Sequence, residues 1–517
     1  MDRRAADRAS YWLTRFVILR LLGLVYFFAF LSLARQVLPL IGSQGLTPVG
    51  QFLELVRDVR GSSLDSFRSY PSLFWLDHSD VLLSRLAWAG LALSVPVLLG
   101  YANAILLAVL WALYMSFVHV GQVWYGYGWE IQLLETGFLA IFLCPLIDPR
   151  PFPPRPPPVV VIWLFRWLIF RIMLGAGLIK MRGDPCWRDL TCLYYHYETQ
   201  PIPNPLSWYA HFAPRWFHRC GVLFNHAAEL VAPCFAFGPR LGRHIAGFVM
   251  LTFQVILILS GNLSFLNYLT IVPVLACFDD RLLRRVLPRA LVARAERAGE
   301  DAQPSRVHQA IAIALAVLVT VLSLEPVMNL VSPGQIMNTS FGALDLVNTY
   351  GAFGSVGRVR YEIVFEGTSD ETPTDATQWK PYEFVCKPGD PMRRPCVISP
   401  FQPRLDWQIW FAAMSVPQRE PWALHLVWKL LHNDPGALSL LANDPFPHAP
   451  PRYIRARYYR YQFAPPDDPS HAWWKRTHID EWLYPLSIDD PRLRKILAEH
   501  DWLPATAKAE TRAAPSR

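Results

Sequence analysis

The chain has 517 residues, of which 52% are apolar and only 17% charged, and its mean hydropathy is positive. Soluble domains average about 25% charged residues, so the composition excludes an ordinary soluble protein and points to a polytopic membrane protein. The net charge of +8 comes from basic termini and from arginines between apolar runs; no basic, aromatic-interleaved face lies outside those loops, which argues against nucleic acid as a partner.

About nine apolar runs are long enough to be considered as spans: residues 11–33, 83–99, 103–120, 131–147, 159–180, 220–237, 245–260, 265–278 and 310–331. The second and eighth are short, as in tilted pairs or partly re-entrant segments. The first lacks the short apolar core and small-residue cleavage site of a signal peptide. The Trp and Tyr residues, 20 of each, suit the headgroup layer.

With nine spans, the arginine-bearing segments fall on one side: Arg3, Arg4 and Arg8; Arg150 and Arg155; Arg240 and Arg243; and the group from Arg281 to Arg297. Lys/Arg excess marks the cytoplasmic side. The loops 34–80 and 184–219 and everything after Val331 are then extracytoplasmic.

The sequence divides into a helical membrane domain (1–335), an α+β extracytoplasmic domain (336–504) and a disordered Ala/Lys/Thr-rich tail (505–517). RVRYEIVFEG alternates, with Val359, Tyr361, Ile363 and Phe365 on one face, as a half-buried strand does. PYEFVCKPGD and YIRARYYRYQF are predicted to be strands, and PRLDWQIWFAAM and PWALHLVWKLL short amphipathic helices.

Cys144, Cys220, Cys234 and Cys277 lie in or at spans, as small apolar packing residues. Cys186 and Cys192 share one extracytoplasmic loop, and Cys386 and Cys396 another. An oxidising compartment favours disulfides within each pair; free thiols are the alternative, and neither pair has the close spacing of a zinc site. No metal and no cofactor is specified.

Charge within a bilayer is costly, about 2.5–3.5 kcal/mol per Arg, Lys or Asp at a helix centre, so polar groups in the spans are candidates for function. Glu229 lies midway along the sixth run with Asn225 and His226 one turn earlier, on one face. Glu135 is a turn into the fourth run, and Lys180 ends the fifth. A polar cavity in which Lys180 pairs with Glu135 or Glu229 would make the lysine a candidate base; the alternative is a snorkelling lysine. Lys180, Glu135, Glu229 and His226 are the candidate catalytic residues. Arg171 is expected to be buried against a carboxylate, Arg166 to snorkel, and Arg15 and Arg20 to face headgroups. Trp187, Tyr194 and His196, around the first cysteine loop, and Arg404, Asp406 and Trp410, in RLDWQIW, are candidate substrate- or client-binding residues. For the last group, a buried ion pair under an aromatic core is the competing reading. No phosphate-binding loop, nucleophile elbow or dinucleotide turn is present.

The segments YWLTRFVILRLLGLVYFFAFLSLARQVLPLIGSQGLTPVG, GAGLIKMRGDPCWRDLTCLYYHYETQPIPNP, LFNHAAELVAP and CKPGDPMRRPCVISPFQPRLDWQIWFAAM resemble the lipase maturation factor family. The likeness runs from Tyr11 to about Leu503. It implies a multi-span membrane protein that helps exported lipases, or similar secreted proteins, to fold and mature, with the bilayer and a lipase client as its partners. Animal members act in the endoplasmic reticulum; the short basic N-terminus and the Arg/Ala/Pro-rich composition point instead to a bacterial inner membrane with a periplasmic C-terminal domain. A shorter stretch, AGLIKM followed by Asp184 and Trp187, is similar to a motif of the vitamin K-dependent γ-carboxylase, in which a lysine is the catalytic base; Lys180 matches that position. That likeness implies a rival reading, a membrane enzyme acting on a lipid, quinone or exported protein.

Overall fold

In the computed structural model, residues 10–503 are described; Arg3, Arg4, Arg8 and the 505–517 tail lie outside them. The N-terminal two thirds are helical. Helix α1 (Trp12–Ile41) packs antiparallel along α2 (Asp80–Leu99). Gly23 makes that approach possible, since a Cβ there would stand 2.4 Å from the backbone nitrogen of Leu98. The first N–H groups of α1 have no partners within the helix; Asp280 supplies one from far along the chain, accepting from the N–H groups of Trp12 at 2.8 Å and Leu13 at 2.9 Å.

Then follow α3 (Ala104–Val120), α4 (Gly128–Ile141), α5 (Val159–Arg182), the short α6 (Leu193–Thr199), α7 (Arg215–His226), α8 (Arg240–Ser260), α9 (Leu266–Val274), α10 (Arg306–Leu322) and α11 (Leu324–Val331). Helix α7 continues through a π turn at Ala227–Val231 and a 3-10 turn at Ala232–Phe237.

Among the described residues six helical stretches are long and apolar enough to cross a membrane: α1, α2, α5, Arg215–Phe237, α8 and Arg306–Val331. This is an integral membrane protein. The other three expected spans fall on shorter helices. α3 has 17 residues, α4 has 14, and α9 has 9 before a 3-10 turn, against the roughly 20 that a bilayer core requires. The second run, expected to be short, belongs to a 20-residue helix that starts at Asp80, behind a Ser79 N-cap.

The C-terminal region carries two small sheets. Strands β1 (Thr339–Ser340) and β2 (Asn348–Thr349) form a two-stranded ladder. Strands β3 (Arg360–Thr368), β4 (Lys380–Pro381), β5 (Tyr453–Phe463) and β6 (Trp474–Leu486) form an antiparallel sheet in the order β4-β3-β5-β6. Helices α12 (Arg404–Ala412) and α13 (Pro421–Leu430) occupy the predicted segments. Strand β3 is covered on both faces, because α12 packs on one side and the Arg360 side chain is held by loop carbonyls on the other.

Three expectations require correction. PYEFVCKPGD is a strand only at its first residue, Pro381, with an isolated bridge at Phe384; beyond it the N–H groups of Cys386 and Lys387 are taken by the Asp406 carboxylate rather than by a neighbouring strand. Arg15 is buried, donating to the Arg155 carbonyl at 2.8 Å and lying over the Trp12 ring. Arg166 does not snorkel: it is buried and donates to the Ala276 carbonyl and the Tyr11 hydroxyl, both at 2.9 Å. For both arginines nearby protein oxygens replace water that the guanidinium would otherwise seek.

Candidate functional site

The last turn of α5 meets the π turn that follows α7. Pro233 lacks the N–H that would bond the Glu229 carbonyl four residues earlier, so a regular α-helix cannot continue through this point; the π turn places Glu229 against α5. Gly177, one turn before Lys180, permits the contact: a Cβ there would lie 2.6 Å from Leu230 Cδ2 and 3.1 Å from Glu229 Cβ.

Lys180 Nζ donates to Glu229 Oε1 at 2.5 Å and to Asn225 Oδ1 at 3.0 Å, and Asn225 Nδ2 donates to Glu229 Oε2 at 2.9 Å. Lys180 and Glu229 are each only 3% exposed. The ammonium also lies 4.9 Å from the centre of the Trp187 ring, within cation–π range. A buried charge pair closed by an amide and an aromatic face has its donors and acceptors satisfied, which a low-dielectric site requires.

Trp187 is held from behind. The disulfide Cys186–Cys192, with Cα atoms 4.8 Å apart, closes its loop. Asp184 accepts from the Cys186 N–H and from Arg358 Nη2, both at 2.9 Å, and the indole donates to the Phe353 carbonyl at 2.8 Å. His226 Nε2 lies 3.0 Å from the Trp187 carbonyl; a carbonyl only accepts, so this nitrogen carries the proton. His226 therefore braces the loop and does not reach Lys180 through a hydrogen bond.

Glu135 is not the partner of Lys180. It forms a buried ion pair with Arg171 and accepts from the Tyr350 hydroxyl at 2.7 Å and the Asn348 N–H at 3.0 Å; Arg171 also donates to the Asn348 carbonyl at 2.6 Å. This pair joins α4, α5 and β2. The expected burial of Arg171 against a carboxylate is observed.

Arg404 and Asp406 are both fully buried but do not pair with each other. Arg404 Nη1 bonds Glu130 Oε1 at 2.9 Å and the Trp124 carbonyl at 2.5 Å, and its guanidinium covers the Tyr125 ring at 3.5 Å. Asp406 accepts from the N–H groups of Cys386 at 2.7 Å and Lys387 at 2.8 Å, fixing the loop closed by the Cys386–Cys396 disulfide. Burial raises the Asp406 carboxyl above its ordinary value; the two N–H donors oppose that shift. Successive side chains of an α-helix two residues apart diverge, so each finds a different partner.

Between these networks lies a cavity of about 500 Å³, bordered by Glu229, His196, Trp410 and residues of α4, α5, α8 and α9. Of the ten residues singled out in the sequence as site candidates, Glu229, His196 and Trp410 border it. Trp410 donates to the Thr199 carbonyl at 3.2 Å. Tyr194 stands apart, its hydroxyl accepting from Arg219 at 3.3 Å. Gln132, at the entrance of the fourth run, also lines the cavity, as do Gln254, Asn267 and Thr270; these last three were not singled out in the sequence, and polar residues three or four apart within apolar runs, such as Asn267 and Thr270, were the available signal. Among the described residues no group of three or more His, Cys, Asp or Glu is placed to hold a metal.

The Lipase maturation factor transmembrane domain matches residues 13–285 and the Lipase maturation factor C-terminal domain matches residues 346–485. The chain belongs to the lipase maturation factor family. It is 49% identical to lipase maturation factor 1 of Bos taurus, over 95% of this chain and 92% of the relative. It is 48% identical to that of Homo sapiens, over 95% and 91%, and 30% identical to lipase maturation factor 2 of Xenopus laevis, over 92% and 82%. No solved structure matches the chain. In this lipase maturation factor, charged and polar pairs join the helical region to the C-terminal region: Glu130–Arg404, Arg171–Glu135–Asn348 and Asp184–Arg358.

Proposed function

We propose that this protein assists the folding and maturation of exported lipases, acting as a membrane-held, chaperone-like factor. The observation that carries the proposal is the extent of the likeness: proteins named lipase maturation factor 1 align over 95% of this chain at 48–49% identity, across membrane and C-terminal regions together. In this reading residues 1–335 are the membrane part, and residues 336–504 face the extracytoplasmic compartment and meet the client. The two disulfides, which belong to an oxidising compartment, support that placement, and so do the arginines of the helical loops if the three shorter helices also cross.

Of the residues singled out for client binding, the half-buried Tyr194 and Trp410 are then the ones open to a client, while the buried Trp187, His196, Arg404 and Asp406 hold the surrounding loops and helices. The Lys180–Glu229 pair is read as structural. The rival enzymatic reading, with Lys180 as base, is not favoured, since the matching relatives carry maturation-factor names and Lys180 is engaged by two acceptors. Deleting the protein from its host, followed by quantitative proteomics and lipase assays on exported material, tests the proposal. Selective loss of active lipase supports it; an unchanged set of active lipases overturns it.

A further inference from the structure

The cavity beside Glu229 has a lining that selects for chemistry. Its walls are mostly apolar, with Trp129, Met173, Phe253 and Leu266 among them. Its volume of about 500 Å³ lies within the ~300–1,000 Å³ range of small-molecule sites.

The polar groups at its border are uncharged or already neutralised. Glu229 is paired with Lys180. Arg360 directs its donors to Glu362 and to the carbonyls of Glu198, Gln200 and Pro201. Gln132 Nε2 donates to Thr270 Oγ1 at 3.1 Å, and Asn267 Nδ2 to Gln254 Oε1 at 2.8 Å. No unpaired cation among the described lining residues is available to hold an anion.

Two side chains of the lining keep polar groups without a protein partner: Trp407, whose buried indole N–H is unpaired, and His196. His196 is only 6% exposed and borders the cavity, yet neither ring nitrogen has a hydrogen-bond partner among the described residues. Burial, and secondarily the Lys180 ammonium, push its imidazole down to about 4, so at neutral pH it offers one donor and one acceptor. A polar group that opens on an apolar cavity without a protein partner is available to a ligand's hydrogen bond.

We infer that this cavity binds an uncharged amphiphile, with an apolar body lying against the α4, α5, α8 and α9 walls and a hydroxyl- or carbonyl-bearing head hydrogen-bonded to His196. Monoacylglycerol represents this class. Charged fatty acids and phospholipids do not, because the lining holds no free counter-charge. Binding is noncovalent and does not depend on the maturation role.

The test uses the full-length protein in phosphatidylcholine nanodiscs and follows tryptophan fluorescence, to which Trp129, Trp407 and Trp410 at the cavity contribute. Monoacylglycerol with a dibrominated chain is the quencher, and dibrominated fatty acid at about pH 8 is the anionic control. The expected result is a saturable quenching phase with the monoacylglycerol and only a linear, partition-driven phase with the fatty acid. His196→Phe should raise the half-saturation concentration about three- to tenfold, the loss of one hydrogen bond, whereas His196→Gln, which keeps a donor and an acceptor, should stay near wild type. Ala176→Phe, filling the cavity from α5, should abolish the saturable phase; if that variant does not fold, the His196 pair decides. Absence of a saturable phase in the wild type, an equal phase with the fatty acid, or equal binding by His196→Phe and wild type would overturn the inference.

Discussion

Lys180 and Glu229 form one buried ion pair, Nζ to Oε1 at 2.5 Å, although 49 positions separate them in the chain. The glycine at 177 and the proline at 233 create the contact, one by removing a Cβ and the other by removing an N–H. The pair is the point at which the fifth helix, the interrupted Arg215–Phe237 span and the first disulfide loop are locked together.

Removing one member leaves the other charged and buried. Lys180→Met should therefore destabilise the protein by about 3–5 kcal/mol, seen as a large fall in apparent melting temperature in detergent. The double variant Lys180→Met with Glu229→Gln should recover part of that loss. A single variant as stable as wild type would show that the pair is not buried as described.

Arg404 and Glu130 couple the C-terminal region to the membrane helices in the same way. A double-mutant cycle with Arg404→Met and Glu130→Gln should give a coupling energy above about 1 kcal/mol, beyond the range of exposed pairs. Each single variant should also increase protease cleavage after residue 331. Additive effects would contradict a direct pair.

These two pairs mark what the sequence made legible. Apolar runs with an embedded charge singled out Lys180, Glu229 and Glu135 as candidates and Arg171 as buried, because the cost of intramembrane charge does not depend on knowing the fold; whether Lys180, Arg166 and Arg15 snorkel or are buried was not legible, since that depends on which protein oxygens the fold brings near. Partner choice was not legible: Glu135 and Glu229 are both acidic residues in spans, and only the π turn and Gly177 decide which one meets Lys180. Strand β5 was visible in YIRARYYRYQF. Strand β6 was not, because WKRTHIDEWLYPL is an exposed edge strand rich in charge, the composition by which edges avoid further pairing. The cavity was not legible either, since residues of four helices and several loops border it.

Asp406 holds the second disulfide loop through two backbone N–H groups. Asp406→Ala leaves both buried donors unsatisfied, at roughly 1–3 kcal/mol each. The expected signature is faster amide hydrogen exchange at residues 386–396, with the Cys386–Cys396 bond still found by non-reducing peptide mapping. Unchanged exchange there would remove Asp406 from this role.

His196 makes stability depend on pH. Burial lowers its imidazole from about 6.5 to about 4, so between those values the unfolded chain takes up the proton and the folded protein does not. Its contribution is present above about pH 6.5 and is lost as pH falls toward 4, roughly 2 kcal/mol by about pH 5. Melting curves at about pH 7.5 and 5 should show a smaller drop in His196→Gln than in wild type. Equal drops would assign the acid sensitivity to other groups.

The central claim concerns lipases. A host lacking lipase maturation factors, made to express a secreted dimeric lipase with or without this protein, allows lipase mass and lipase activity to be measured in the same exported fraction. The account predicts several-fold higher activity per unit of lipase mass when the protein is present, with lipase synthesis unchanged. Equal specific activity with and without the protein would contradict it.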